Sequence, residues 1–554
     1  MKKLLILFAL LFVVLVGCDL STTTETTATT QNTTISQSTT EVTTTTTDIT
    51  QTTQPSTILT TTTDSITTTT QTTTSSLPSR QNIHLYSIND FHGGAYAGFE
   101  SFSKVAQEII DAKTTEDIVI ALGNGDIFQG SAISNYYYGR PLIEAMNIAE
   151  FDGFVIGNHE FDWGIEKIAE YNDDSTDNGE ADFPFLAANI VYEDTQEPLS
   201  FTQPYITIEE YGVKIGVIGV IGDVINSISA SRVENIEFLD PVTVIADYAQ
   251  ILRTEQDIDI VVVYIHNGSD INYDIAALTG NQRVDAVFNG HTHQDEAGSI
   301  SRGEDYYPLL FAQSRSNSDS ILSEINLVYD FAEEKVIFGE ANTLSLNDLS
   351  GSNANVDQLF DEYLTDAEYL QYVNQVLTTA EYNFYRSNLA PWGASVIKDY
   401  LGIDVGAVNS GGFRVTMEQG EVTMGDLVVI YPFDNVIKTT DLTGQQLLDF
   451  YEEVQYYDDD VVFDQGLTYD GTNLYIDGNL VIMDQYYTVG AVDYIFDKAE
   501  YDFLDGINIT YTGYFMRDLL AEDLGNTIGF FNPINGTSYV EPLSYFYKQT
   551  FISI

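Results

Sequence analysis

Cysteine is all but missing: among 554 residues only Cys18 carries a thiol. An internal disulfide and a thiolate-ligated metal centre are both excluded by that one count. Positive charge is scarce as well. Lys and Arg total 21 against 83 Asp and Glu, a formal net charge of −62. Such a surface repels nucleic acid and anionic lipid headgroups, which sets both aside as partners. It repels phosphates too, so an anionic substrate would need a concentrated patch of positive charge. Histidine is limited to six positions, few enough that the place of each can be weighed.

A long apolar run occurs at the N-terminus, where Lys2 and Lys3 precede Leu4 to Val16. It is too short for a comfortable membrane span and fits an export signal over residues 1–17. It ends in Leu15-Val16-Gly17-Cys18, which resembles a bacterial lipobox and makes Cys18 the expected lipidation site. Residues 18–80 are dominated by Thr, with Ser and Gln, and bury too little apolar surface to offset chain entropy. A disordered tether is expected there, holding a lipoprotein on the extracellular face of a bacterial membrane through its lipid anchor only.

From residue 82 the texture changes. "NIHLYSIND", "DIVIALGNGD", "FVIGNHE", "VKIGVIGVIGD", "DIVVVYIHNG" and "DAVFNGHTH" read as buried strands. Amphipathic helices lie between them; Phe102, Val105, Ala106, Ile109 and Ile110 share one helical face. The alternation predicts an α/β layered domain over 81–345. Residues 352–390 contain no Gly or Pro, and Val356, Leu359, Phe360, Tyr363 and Leu364 keep a helical period. A long helix within 346–380 is expected to join a second α/β domain, 381–554. No internal repeat relates the halves.

Each buried run of the first domain ends in a small polar cluster: Asp90 and His92, Asp126, Asn158 and His159, His266, His291 and His293. Ligand groups gather at the carboxyl ends of strands in α/β sheets. Five of the six histidines stand at such ends, and His84, early in its strand, reads as structural. Oxygen and imidazole donors without thiolate suit Mn, Zn, Fe or Co. A carboxylate such as Asp126 can bridge two cations about 3.5–4 Å apart, the spacing used in phosphate chemistry. Asp90 and His92, and likewise His291 and His293, would point the same way if their segments were extended.

The ordered set "NDFH", "GNGD", "GNHEFD", "YIHNG" and "NGHTH" resembles calcineurin-like metallophosphoesterases. With "NSGGFR" and "YPFDN" downstream, the chain looks like the 5′-nucleotidase and UDP-sugar hydrolase family. That resemblance implies a four-layer αββα sandwich followed by a second α/β substrate-binding domain. It implies two divalent metal ions, Zn, Mn or similar, with Asp90, His92, Asp126 and His293 at one and Asp126, Asn158, His266 and His291 at the other. His293 stands where the narrower family often has Gln or Asn. His159 would face the phosphate and stabilise charge in the transition state while Asp162 orients its ring. A metal-activated water would attack phosphorus in line. The cations would also answer the charge problem, since they concentrate positive charge where phosphate must sit.

In the second domain the resemblance implies nucleotide contacts from Asn409 and Arg414. A guanidinium suits the task because its fork binds phosphate or ribose oxygens at two points. Arg386, in a looser match, is a further candidate. Phe433 would stack on a nucleobase, with Asp434 replacing the family's Gly, and Tyr494 would form the other half of the clamp. The family's Gly-Gly-Asp-Gly loop is absent; Asp497, Glu500 and Asp502 are candidate substitutes for its ribose-holding acid. The leading expectation is a phosphohydrolase acting on extracellular nucleotides. A 2′,3′-cyclic phosphodiesterase with 3′-nucleotidase activity, or a nucleotide-sugar hydrolase, uses the same chemistry. A non-catalytic surface-binding lipoprotein or adhesin is the alternative of another class, which the retained set of metal ligands disfavours. If substrate binds between the domains, their rotation could govern closure and release.

Overall fold

A computed structural model describes residues 79–533, apart from 174, 176–178, 304–306, 458–459 and 500. The expected signal segment, Cys18, the Thr-rich tether and Glu500 lie outside the described residues.

Strands buried on both faces are continuous in Val, Ile and Leu, as a covered parallel sheet requires. In the first sheet Ile118–Asn124 runs parallel to both Arg80–Ile88 and Gly153–Val155. Leu322–Asp330 and Lys335–Leu344 add an antiparallel hairpin at one edge. In the second sheet Ile260–His266 is central and parallel to Val213–Ile221 and Ala286–Phe288. Three apolar cores stack across this half. One, with Leu85, Ile120, Val217, Val262 and Phe288, lies between the sheets. A second packs the helices Phe102–Lys113 and Arg140–Ile148 on the first sheet, and a third packs Pro241–Glu255 on the other. This is the expected αββα sandwich. The helix Phe102–Lys113 buries Phe102, Val105, Ala106 and Ile109, while Ile110 stays half-exposed.

The single long connecting helix is not formed. Ala354–Leu364 and Ala367–Val373 are separate helices, and Val376–Ala380 is a strand paired with Gly420–Thr423. The break falls at Asp366, whose carboxylate accepts from the backbone N–H of Glu368 and Tyr369 at 3.0 and 2.8 Å. An Asp that caps a new helix ends the old one despite unbroken apolar periodicity. Beyond it, a five-stranded sheet runs in the order Val461–Phe463, Val405–Asn409, Tyr486–Val492, Val436–Thr443, Ile507–Phe515. Val405–Asn409 is parallel to Tyr486–Val492, and Val436–Thr443 is antiparallel to it. Asn409, the segment before Val436 and the segment after Val492 therefore meet at one sheet edge.

Candidate metal centre and substrate cavity

The parallel strands of the sandwich end together, and their polar clusters converge there. Asp90, His92 and His293 place one donor atom each within 4.8 Å of one another, and so do Asp126, His266 and His291. His92 Nε2 is 3.3 Å from His293 Nε2. His266 Nε2 lies 3.1 Å from Asp126 Oδ2 and 3.2 Å from Asn158 Oδ1, and His291 Nδ1 lies 2.8 Å from that same Asn158 oxygen. His84 stays apart on its strand, bonding Asn326 and Asp117.

The spacing argument for paired residues needs correction. Asp90, His92, His291 and His293 are not extended; their φ values are 49°, 49°, 72° and 52°, and Asp126 joins them at 56°. Left-handed backbone at residues with a Cβ costs roughly 1–3 kcal/mol each and persists where surrounding bonds over-determine it. Here Asp90 N donates to Gly125 O and His92 N to Asp126 O, both at 3.0 Å. His291 N donates to the Asp90 carboxylate at 2.9 Å. The turn also sends His291 and His293 to different clusters. Glycines leave room for the donors: a Cβ on Gly125 would come within 2.3 Å of His266 Nδ1, and one on Gly157 within 2.5 Å of Asp126 Oδ1.

The donor set fits divalent cations. His92 Nδ1 donates to Gln129 O at 3.1 Å and His266 Nδ1 to Asn124 O at 2.9 Å. A carbonyl on one ring nitrogen aims the other at a metal. Burial, with the neighbouring His159 charge, pushes His92 far below the ordinary imidazole value. Burial and the His266 charge bring His291 down to about 4, so both rings are neutral, as ligands must be. Burial opposes charge on His266, but Asp126 outweighs it and lifts the ring to about 10; a cation bound there would release that proton. Burial works against the Asp126 charge as well, yet His266 and His159 hold its carboxyl far below the usual range.

His159 sits beside the donors with Nδ1 2.7 Å from Asp162 Oδ2, and its backbone N donates to Asp126 Oδ1 at 2.8 Å. Burial disfavours its charge, but Asp162 and Asp126 raise its pKa to about 9. A cavity of about 340 Å³ opens at this point between the two halves of the chain. Asp126, Asn158, His159, Asp162, His291 and His293 line one side; Asn409, Arg414, Phe433, Asp434, Asp460 and Tyr494 line the other. The Phe433 ring stacks on His159 at 5.8 Å and 24°, with Arg414 Cζ 5.7 Å from its centroid. Asn409 Oδ1 is buried with no hydrogen-bond partner among the described residues.

Residues 83–295 match the family model of calcineurin-like phosphoesterases, and residues 367–505 match that of the 5′-nucleotidase C-terminal domain. The chain belongs to the 5′-nucleotidase family of metallophosphoesterases, hydrolases acting on phosphate esters. Within that family, an apyrase of Tabanus yao is 26% identical over 418 residues, covering 67% of this chain and 73% of the relative. The trifunctional nucleotide phosphoesterase protein YfkN of Bacillus subtilis is 21% identical over 406 residues, or 66% of this chain and 27% of the relative. The chain thus spans about a quarter of that longer protein. A solved 5′-nucleotidase precursor of Thermus thermophilus shares the fold, with a TM-score of 0.63 at 18% identity over 80% of this chain and 96% of that one.

The family's substrate wall is only partly where the sequence suggests. Asn409, Arg414, Phe433 and Tyr494 all reach the cavity. Arg386 does not line the cavity; its side chain is exposed and its Nε donates to Phe413 O at 3.0 Å. Asp497 is held by Lys438 Nζ at 2.6 Å, and neither it nor Asp502 lines the cavity. Asp434 is paired with Arg517, whose Nη1 also donates to Pro432 O at 2.9 Å. That pairing engages the Asp434 carboxylate.

Sequence reasoning missed Glu160. Its fully buried carboxylate accepts from the backbone N–H of Asp126, Ile127 and Gly157 at 2.8, 3.1 and 2.8 Å. It ties together the two loops that carry Asp126 and Asn158. Burial, reinforced by Asp126, pushes its carboxyl up to about 7. The residue stood in the quoted "GNHEFD", and a carboxylate beside two glycine-rich strand ends was the available signal. Arg232 and Asp460, both cavity-lining, lay in loops without a recognisable pattern.

Proposed function

We propose that the protein is a lipid-anchored surface phosphohydrolase that uses two divalent cations to release phosphate from extracellular nucleotides. One observation carries the reading: the strand-end residues Asp126, Asn158, His291 and His293 line one cavity with Asn409, Arg414, Phe433 and Tyr494 of the second domain. The cations, when bound, supply Lewis-acid polarisation of the phosphoryl group and an activated water.

The chain's own residues supply the rest. Asp126 stands within reach of both donor clusters. Asp162 holds His159 through Nδ1 and leaves Nε2 for the transferring group, where an imidazolium offsets developing negative charge. Arg414 faces the same space from the second domain without a carboxylate partner among the described residues, so its guanidinium is available to phosphate oxygens. The orphaned Asn409 Oδ1 is an acceptor awaiting a donor, as a base or sugar would provide. Attachment through Cys18 is read from the N-terminal sequence.

The test is phosphate release from AMP, 3′-AMP, 2′,3′-cyclic AMP and UDP-glucose by chelator-stripped protein resupplied with Mn or Zn. The reading expects AMP to be the best of the four, with activity lost on stripping and restored by metal. Preference for cyclic AMP or UDP-glucose would move the substrate within the same chemistry. No release from any of them with metal present would contradict the reading and favour a binding role.

A further inference from the structure

The helix Ala132–Tyr136 belongs to the sandwich yet touches both the metal centre and the second domain. Toward the centre it abuts the turn that carries His92: a Cβ on Gly93 would meet Ser131 Oγ and Ser134 Cβ at 2.7 Å each. Toward the second domain, Ala132 packs on the apolar core that contains Phe413 and Tyr431. The Tyr136 ring lies 5.1 Å from that of Tyr372. A helix of five residues does not persist on its own in water, so this one is held by what it touches.

Asn135 spans the joint, and it is only 8% exposed. Its Oδ1 accepts from Gly130 N at 2.8 Å, and its Nδ2 donates to Pro432 O at 3.0 Å. The first bond is one peptide unit away from the metal centre. The carbonyl of that unit, Gln129 O, accepts from His92 Nδ1 at 3.1 Å. A peptide plane is rigid, so fixing its N–H fixes the direction of its carbonyl. The second bond reaches the substrate wall. Pro432 precedes Phe433, whose ring stacks on His159, and Arg517 Nη1 braces the same carbonyl at 2.9 Å. Other hydrogen bonds across the joint, made by Ser231, Arg232, Arg414 and Tyr494, are partly or fully open to solvent. A carboxamide offers an acceptor and a donor at once, and here both ends are spent on backbone.

We propose that Asn135 is a positioning residue that ties the Phe433 loop to the peptide aiming His92, so that one side chain sets both the grip on a nucleoside and the grip on a cation. The inference rests on the phosphohydrolase reading above. Asn135 does not line the cavity. It acts through Pro432 on Phe433 and through Gly130 on His92. Loosening the Pro432 end lets the second wall withdraw from His159, which harms a substrate that carries a base and spares one that does not. Loosening the Gly130 end lets the Gln129 carbonyl turn, and an imidazole without its orienting partner binds metal less well.

The experiment compares full-length wild type with Asn135→Asp and Asn135→Ala. KM is measured for AMP and for p-nitrophenyl phosphate with Mn supplied, and Mn affinity by titration of chelator-stripped protein. KM does not depend on how much of a preparation is folded. Asn135→Asp keeps an acceptor for Gly130 N and gives up the donor to Pro432 O. Its ratio of KM for AMP to KM for p-nitrophenyl phosphate is expected to rise about tenfold, with Mn affinity not weakened. Asn135→Ala gives up both ends, so the same ratio should rise and Mn affinity should also fall about tenfold. An unchanged ratio in either variant, or wild-type Mn affinity in Asn135→Ala, would show that Asn135 only packs the joint and would overturn the proposal. Wild-type protein that bound Mn but hydrolysed neither ester would overturn the phosphohydrolase reading instead, and the Mn titration would still judge the tie to His92.

Discussion

Asp90, His92, Asp126, Asn158 and His266 are at most 3% exposed, whereas across the cavity Arg414 and Asp460 are exposed and Phe433, Asp434 and Tyr494 half-buried. The first wall hangs on the ends of parallel strands, and backbone hydrogen bonds pin its loops. The second wall is made of loops at one edge of a smaller sheet. Ligating a cation requires donors fixed in distance and direction, which a buried and cross-bonded frame supplies. Gripping and releasing a substrate requires groups that can approach and withdraw, a task suited to loops. The contrast predicts that damage to the first wall abolishes chemistry, while damage to the second changes which substrate is used.

Outside the donor set, the largest effect is expected at His159. Replacing it by Ala should leave the bound metal content unchanged and lower kcat on AMP by about 10²–10³-fold; metal analysis alongside steady-state kinetics checks both halves. Next comes Glu160→Ala, which strips three buried backbone N–H groups of their acceptor. Stability should fall by about 1–3 kcal/mol in denaturant titration, and metal affinity by about 10–100-fold. Unaltered metal affinity would show that the two loops hold their own shape. Across the cavity, Tyr494→Ala should raise KM for AMP about tenfold if the ring stacks on the base. p-Nitrophenyl phosphate, which carries no nucleobase, should respond less. The smallest effect belongs to Asp497→Asn, which breaks the bond to Lys438 but should not alter KM for AMP. A raised KM there would restore Asp497 as a sugar contact.

The same contrast explains what could be read from the sequence. Strand-end motifs such as "GNGD" and "GNHEFD" keep their donors close to the chain positions that fix them, so the convergence of those donors was legible in the sequence. The layered sandwich was legible too, because buried parallel strands are continuous apolar runs. The left-handed turns at Asp90, His92, His291 and His293 were not, since nothing in the side chains announces a positive φ. The connecting helix misled because apolar periodicity runs through Thr365 and Asp366, while capping by Asp366 decides the break locally. Arg232 and Asp460 depended on how the two halves of the chain meet, whereas Arg386 and Asp497 are engaged by Phe413 and Lys438 within their own half. A single arginine in an irregular loop carries no such information.

The most direct test of the central claim is metal titration of chelator-stripped protein, with bound metal and phosphate release from AMP followed together in wild type and Asp126→Ala. The account predicts two ions per wild-type chain, activity that rises as they bind, and loss of both in the variant. Full activity in the stripped protein, or wild-type metal binding retained by Asp126→Ala, would contradict it.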